Sequence, residues 1–256
     1  MQDAICGIDP QGRRERATLP RTGNLSQMSN EFFNAIKQGK LDEVQRLLSV
    51  NPDLIHNRDN GLSPVMVAVY HQEPAIADFI ADKTGSLNIF EASARGKTNQ
   101  VIRYLARNPE LVNAYAEDGF QPLGLACFFD HYETAEYLIK AGASINSPSN
   151  NSFKAAPIQS AAAAGHVKIV MLLLNHRADP NTREQGGYTP LHAAAQNGDS
   201  QMIRSLLFNG ANLSIRGKDG KLPVDLAIEA GHTDAAKLLK EGITRRFRAT
   251  RPEIKS

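Results

Sequence analysis

The chain repeats itself. Thr189-Pro190-Leu191-His192-Ala193-Ala194 returns 33 residues later as Leu222-Pro223-Val224-Asp225-Leu226-Ala227, and Ala156-Pro157-Ile158-Gln159-Ser160-Ala161 precedes it by 33. Gln121-Pro122-Leu123 and Ser63-Pro64-Val65 open the same way, and two units without the proline align at Glu31 and Asn88. Anchors at 31, 64, 88, 122, 157, 190 and 223 are spaced by 33, 24, 34, 35, 33 and 33 residues. One residue past each anchor stands an apolar side chain: Phe32, Val65, Ile89, Leu123, Ile158, Leu191 and Val224. Four past it stands alanine every time, from Ala35 through Ala68, Ala92, Ala126, Ala161 and Ala194 to Ala227. A fixed period of this length confines the chain to a stack of small units, none of which buries its apolar face alone.

Within a unit the pattern reads as helix, turn, helix. Proline costs nothing at a first helical turn, where its missing N–H has no intrahelical partner, and Thr189 before it suits an N-cap. A first helix of about eight residues follows, and its recurring alanine admits a close neighbour. Gly39, Gly96, Gly165, Gly198 and Gly231 stand where a left-handed C-cap ends it. The second helix carries apolar residues at helical spacing, as in Ile169, Val170, Leu173 and Leu174, and Gly142 and Gly210 close it ahead of polar connections.

These residues resemble the ankyrin repeat, whose signature is a 33-residue period carrying Thr-Pro-Leu-His-x-Ala. The resemblance covers roughly residues 29–243 and implies an all-α solenoid of stacked helix-turn-helix units joined by β-hairpin-like finger loops. The units run over about 29–60, 61–85, 86–117, 118–152, 153–184, 185–217 and 218–243. The arrangement is similar to that of stand-alone bacterial ankyrin-repeat proteins. The second unit is about nine residues short, so its finger (Lys83, Thr84, Gly85, Ser86) is expected to be a tight turn. Units one and three carry an Asn-Pro insertion, at Asn51-Pro52 and Asn108-Pro109.

The ends differ in kind. Residues 1–28 have no period and little apolar content, which predicts disorder. Residues 244–256 form a basic tail in which Arg245, Arg246, Arg248, Arg251 and Lys255 face Glu253, a net of +4 against +2 for the whole chain. Two cysteines, Cys6 and Cys127, make no disulfide framework or paired metal motif, so a reducing, cytoplasmic setting is expected. The longest central apolar run, Ile169 to Leu174, is far short of a membrane span, so no membrane insertion is expected.

Catalytic motifs are missing from the sequence: no nucleophile elbow, phosphate-binding loop or His-Glu-x-x-His pattern occurs. His131, His166 and His232 all fall nine residues past their anchors, and these, with His192, are read as turn-locking residues rather than metal ligands. Cys127 shares a repeat position with Ala162 and Ala195 and reads as a small core residue. No cofactor, no metal and no enzymatic activity are expected.

Recognition is better supported. The resemblance implies that partners are held by finger tips and by the exposed face of the first helix. Those positions hold Tyr70, His71, Phe120, Phe128, Phe129, Phe153, Tyr188, Gln196 and Asn197, together with Leu62, Ala163 and Ala164. Six of the sixteen Phe and Tyr of the chain fall on this small set. Two readings stand at this point. In one, a groove centred on units four to six binds a peptide or protein; in the other, Phe128 and Phe129 pack on neighbouring helices while Tyr188 and Phe120 cover hairpin bases. The function expected is a non-catalytic interaction module or adaptor, acting as a monomer. Alternatives are a regulatory subunit of an enzyme and, through the basic tail, binding of nucleic acid or an anionic surface.

Overall fold

A computed structural model describes residues 22–249, with side chains over 25–242. Fourteen α-helices and two short 3-10 turns follow one another among the described residues, with no β-strand. Seven inner helices are α1 (Thr22–Lys37), α3 (Pro64–Tyr70), α5 (Ile89–Ala94), α7 (Pro122–Phe128), α9 (Pro157–Ala163), α11 (Pro190–Gln196) and α13 (Pro223–Glu229). Their outer partners are α2 (Leu41–Val50), α4 (Pro74–Thr84), α6 (Thr98–Arg107), α8 (Tyr132–Lys140), α10 (Val167–Asn175), α12 (Ser200–Phe208) and α14 (Thr233–Ala249). Each inner helix packs on the inner helices of the units beside it; the outer row does the same, thinning between α4 and α6.

The proline occupies the first helical position in α3, α7, α9, α11 and α13. Unit three lacks it, and α5 begins one residue later, with Asn88 as the cap: its side chain accepts from the N–H groups of Phe90 and Glu91. All seven residues one past the anchor and all seven alanines four past it are buried. The main apolar core runs from Phe32 to Leu239, with a small second cluster of Met66, Ala94 and Leu125. In the outer row Leu47, Ile80, Leu138, Leu173, Leu206 and Leu239 are buried at the shared position, where unit three has Tyr104. Tyr104 is only partly buried, and its hydroxyl donates to the Leu87 carbonyl at 2.6 Å, in the tight turn of the shortened unit.

All seven units end the inner helix on a left-handed residue eight past the anchor. Five are glycines; the other two are Gln72 (φ 59°) and Asp130 (φ 61°), where a side chain makes that conformation costly.

The fingers are tighter than strands. Two backbone bonds close each. At the base they run from Ala116 N–H to the Phe120 carbonyl, Glu184 to Tyr188 and Gly217 to Lys221, at 2.9, 3.1 and 2.9 Å. At the tip they run from Gly119 N–H to the Ala116 carbonyl, Gly187 to Glu184 and Gly220 to Gly217, at 2.9, 2.9 and 3.0 Å. One lateral bond ties a finger to the next: Asn150 N–H to Gly119, Gln185 to Phe153 and Lys218 to Gly186. The expected tight turn of unit two is Gly85 (φ 74°) ending α4, with Ser86 and Leu87 leading to the Asn88 cap. With that finger gone, the finger closed by Asp59 and Leu62 and the one closed by Ala116 and Phe120 become neighbours. A Cβ on Gly61 would lie 3.2 Å from the Glu117 carboxylate.

Both ends depart from the sequence reading. Helix α1 opens at Thr22, so residues 22–28 are helical where composition predicts disorder; the remainder of that stretch lies outside the described residues. Helix α14 runs to Ala249, which makes the start of the expected tail a continuation of the last outer helix. The side chains of Arg245, Arg246, Arg248 and Arg251 lie outside the described ones. The two Asn-Pro insertions form 3-10 turns, Pro52–His56 and Pro109–Asn113, each burying one apolar residue, Leu54 and Val112.

Candidate partner-binding groove

Inner helices and fingers together enclose a groove of about 510 Å³. Tyr70, Phe120, Phe128, Phe153, Tyr188 and Gln196 all line it, with Ala155, Ala163 and Ala193 supplying small surfaces between the rings. With Leu226 also on its wall, it reaches from unit two to unit seven. Volumes of several hundred cubic ångströms with aromatic walls are what a ligand side chain or short segment requires.

Two rings are held by the same device. Tyr70 donates its hydroxyl to Asp118 Oδ2 at 2.8 Å, across the gap left by the missing finger. Tyr188 donates to Asp219 Oδ2 at 2.5 Å. Both aspartates sit four residues before their anchors, and both use Oδ1 to accept a backbone N–H two residues on, from Phe120 and Lys221. The second oxygen is thereby aimed at a tyrosine. Burial first, and the Asp118 carboxylate second, push the Tyr70 phenol well above its ordinary range. The hydrogen bond from Tyr188 holds the Asp219 carboxyl below the usual carboxylate range. Gly217 makes room for Tyr188, since a Cβ there would stand 2.3 Å from the ring.

Five residues expected at the site lie off the groove: Leu62, His71, Phe129, Ala164 and Asn197. Phe129 is half-buried behind Tyr70 and Phe128, with ring centroids at 5.3 and 5.0 Å, and packs into a small cluster with Met66 and Leu125. The packing alternative thus describes Phe129, whereas Phe128 keeps 38% of its surface exposed on the groove wall. His71 is exposed at the end of α3. Asn197 turns its amide back to the Ala162 and Ala163 carbonyls at 3.2 and 3.3 Å, tying unit six to unit five.

Polar groups around the groove are mostly engaged within the protein. Gln159 accepts from Ala156 N–H and donates to the carbonyls of Thr182 and Tyr188. His192 Nδ1 accepts from Thr189 N–H at 3.0 Å, leaving the Nε2 proton for the Lys221 carbonyl at 3.2 Å. Burial lowers the His192 pKa, so the ring stays neutral in this role. The inter-helix histidines tie units together: His131 Nε2 meets the Ala94 carbonyl and His166 Nε2 the Phe128 carbonyl, both at 2.9 Å. Cys127 is fully buried, and burial pushes its thiol pKa up, away from nucleophilic use.

Sequence reasoning passed over Asp118, Asp219 and Glu184. An Asp-Gly pair in a finger signals a turn, and only the stacked structure reveals which ring the spare carboxylate oxygen meets.

A helical solenoid with fingers along one edge and a concave aromatic groove is a repeat protein of the interaction class. Residues 158–246 match the family model for ankyrin repeats in three copies, and residues 118–150 that for a single ankyrin repeat. The chain is 28% identical over 183 residues to the Target of rapamycin complex 2 subunit AVO2 of Saccharomyces cerevisiae, covering 65% of this chain and 42% of that protein. It is 35% identical over 99 residues to the Ankyrin repeat and KH domain-containing protein mask of Drosophila melanogaster, covering 38% of this chain and 2% of that protein. It thus spans less than half the length of either relative. The chain is an ankyrin-repeat protein. Units one to three, outside both matches, keep the same buried alanine and the same left-handed residue.

Proposed function

We propose that this protein is a non-catalytic adaptor that holds an extended segment of a partner protein in the aromatic groove. The observation that carries this reading is convergence: seven of the twelve residues singled out in sequence line one cavity, although they come from four different repeat units. Ankyrin repeats are interaction modules. No helix among the described residues is long and apolar enough to cross a membrane, and the reading places the protein in the cytoplasm as a monomer. A surface hot spot of clustered Phe and Tyr suits burial of a few anchoring side chains.

One relative is by name a subunit of a complex, which favours a part in a larger assembly over isolated action. Regulation of an enzyme within such an assembly is the second reading.

The test uses Phe128→Asp combined with Phe153→Asp, both on exposed rings so that the stack survives. Partners are recovered by proximity cross-linking and quantified against the wild-type chain at equal folded concentration. Loss of a partner by the double variant supports the reading; undiminished capture of every partner refutes it.

A further inference from the structure

The groove lining is asymmetric in charge. Glu184 carries the one formal charge among the lining residues, since His192 is kept neutral. Its carboxylate is only half used: Oε2 accepts from Gly186 N–H at 2.7 Å and Oε1 from Tyr188 N–H at 3.0 Å. A carboxylate offers roughly four lone-pair sites, so two remain. None of the salt bridges among the described residues includes Glu184. The neighbouring Arg183 points elsewhere, donating to the carbonyls of Gly187 and Arg216 on the next finger. Lys221 is paired with Glu229 at 2.6 Å. Asp219, held ionised by the Tyr188 hydroxyl, adds negative charge at the same rim.

Aromatic faces attract cations through their quadrupole, and a planar guanidinium also pairs a carboxylate through two parallel hydrogen bonds. The lining holds no cation to meet a carboxylate or phosphate on a ligand, and its most exposed donor is the neutral Gln196 amide.

Resting on the groove reading above, we propose that the partner segment carries an arginine whose guanidinium pairs with Glu184, next to an apolar side chain seated against Ala155, Ala163 and Ala193. Charge complementarity selects this occupant over an acidic or purely aliphatic segment.

The experiment pans a displayed library of random dodecapeptides against the wild-type chain and against Glu184→Gln. Glutamine keeps the side-chain length and one acceptor for the finger N–H groups. Peptides recovered on wild type are expected to be enriched in arginine beside an apolar residue. Their affinity should fall roughly ten- to a hundredfold on Glu184→Gln, the loss of a charge-assisted pair. Replacing the peptide arginine by norleucine should cause the same fall on wild type and leave little further effect of Glu184→Gln. That peptide-side substitution keeps the test sharp even if Glu184→Gln folds poorly. Peptides that lose binding on Phe128→Asp with Phe153→Asp yet show no arginine preference would overturn the inference and leave the groove standing. Recovery of no peptide sensitive to the aromatic substitutions overturns both.

Discussion

Two glycines in the same repeat position offer a clean separation of backbone strain from packing. Gly96 (φ +64°) and Gly165 (φ +81°) both end an inner helix eight residues past the anchor. A Cβ on Gly96 would lie 2.5 Å from His131 Nδ1 and 2.8 Å from Cγ, whereas one on Gly165 meets nothing within 4 Å. The difference lies in the unit that follows. His131 folds over Gly96 to reach the Ala94 carbonyl, but the unit after Gly165 has Asp199 in that place, and its carboxylate turns to cap the Met202 N–H at 2.9 Å. Alanine at either position bears the left-handed penalty of about 1 kcal/mol. Gly96→Ala must also displace the imidazole, losing a hydrogen bond of about 1 kcal/mol and adding overpacking of at least about 1 kcal/mol. The expected costs are therefore about 1 kcal/mol for Gly165→Ala and about 3 kcal/mol for Gly96→Ala, set against a typical total of ~5–15 kcal/mol. Urea unfolding followed by far-ultraviolet circular dichroism measures both, with unchanged slopes confirming that the same surface is exposed. A double variant adding His131→Ala to Gly96→Ala should cost less than the sum of its parts, because the collision is gone. Equal costs for the two glycines, within about 0.5 kcal/mol, would show that the histidine does not pack as described.

Three further outcomes are expected. Gln72→Gly relieves an exposed left-handed residue and should raise stability by about 1 kcal/mol in the same urea titration; an unchanged midpoint would count against strain at that turn. Ala194 is fully buried at the interface of α11 with its neighbours, so Ala194→Asp sets an unpaired carboxylate in the core and should cost several kcal/mol, read as collapse of the melting transition. The third concerns pH: burial lowers the pKa of His131 and of His192 below the ordinary 6.5, so the unfolded chain takes up protons first. Their contribution to stability is complete above that value and is lost as pH falls below it toward the folded-state pKa. Melting temperature should therefore decline on acidification and decline less in a His131→Asn, His192→Asn variant; a profile independent of both histidines contradicts the assignment.

Much of this architecture was legible in the order of residues, and the reason is local. Proline at a first turn, a small residue four past it and a left-handed residue eight past it are short-range demands of one helix and its cap, so they print a period into the chain. Asn88 shows the limit. It aligns with the prolines, yet it acts as a cap through its own side chain and delays α5 by one residue. The start of α1 was missed because residues 22–28 lie ahead of the first anchor and carry no repeat to read.

At the groove, the resemblance together with the register named the positions on the fingers and the inner-helix face. Neither gave direction. Phe128 and Phe129 are adjacent, but one stays on the wall while the other packs behind it, because consecutive helical side chains leave the axis about 100° apart. Asn197 and Gln196 part in the same way. Register by itself therefore determined that the protein is a stack of helix pairs, and the resemblance supplied the edge on which partners are expected. Only the tertiary structure decided where that edge becomes a groove. The loss of one finger brings Asp118 within reach of Tyr70, 48 residues away, and the stacking of unit seven on unit six brings Asp219 to Tyr188. Those distances depend on how whole units settle against each other, a balance of packing along the solenoid that no single repeat contains.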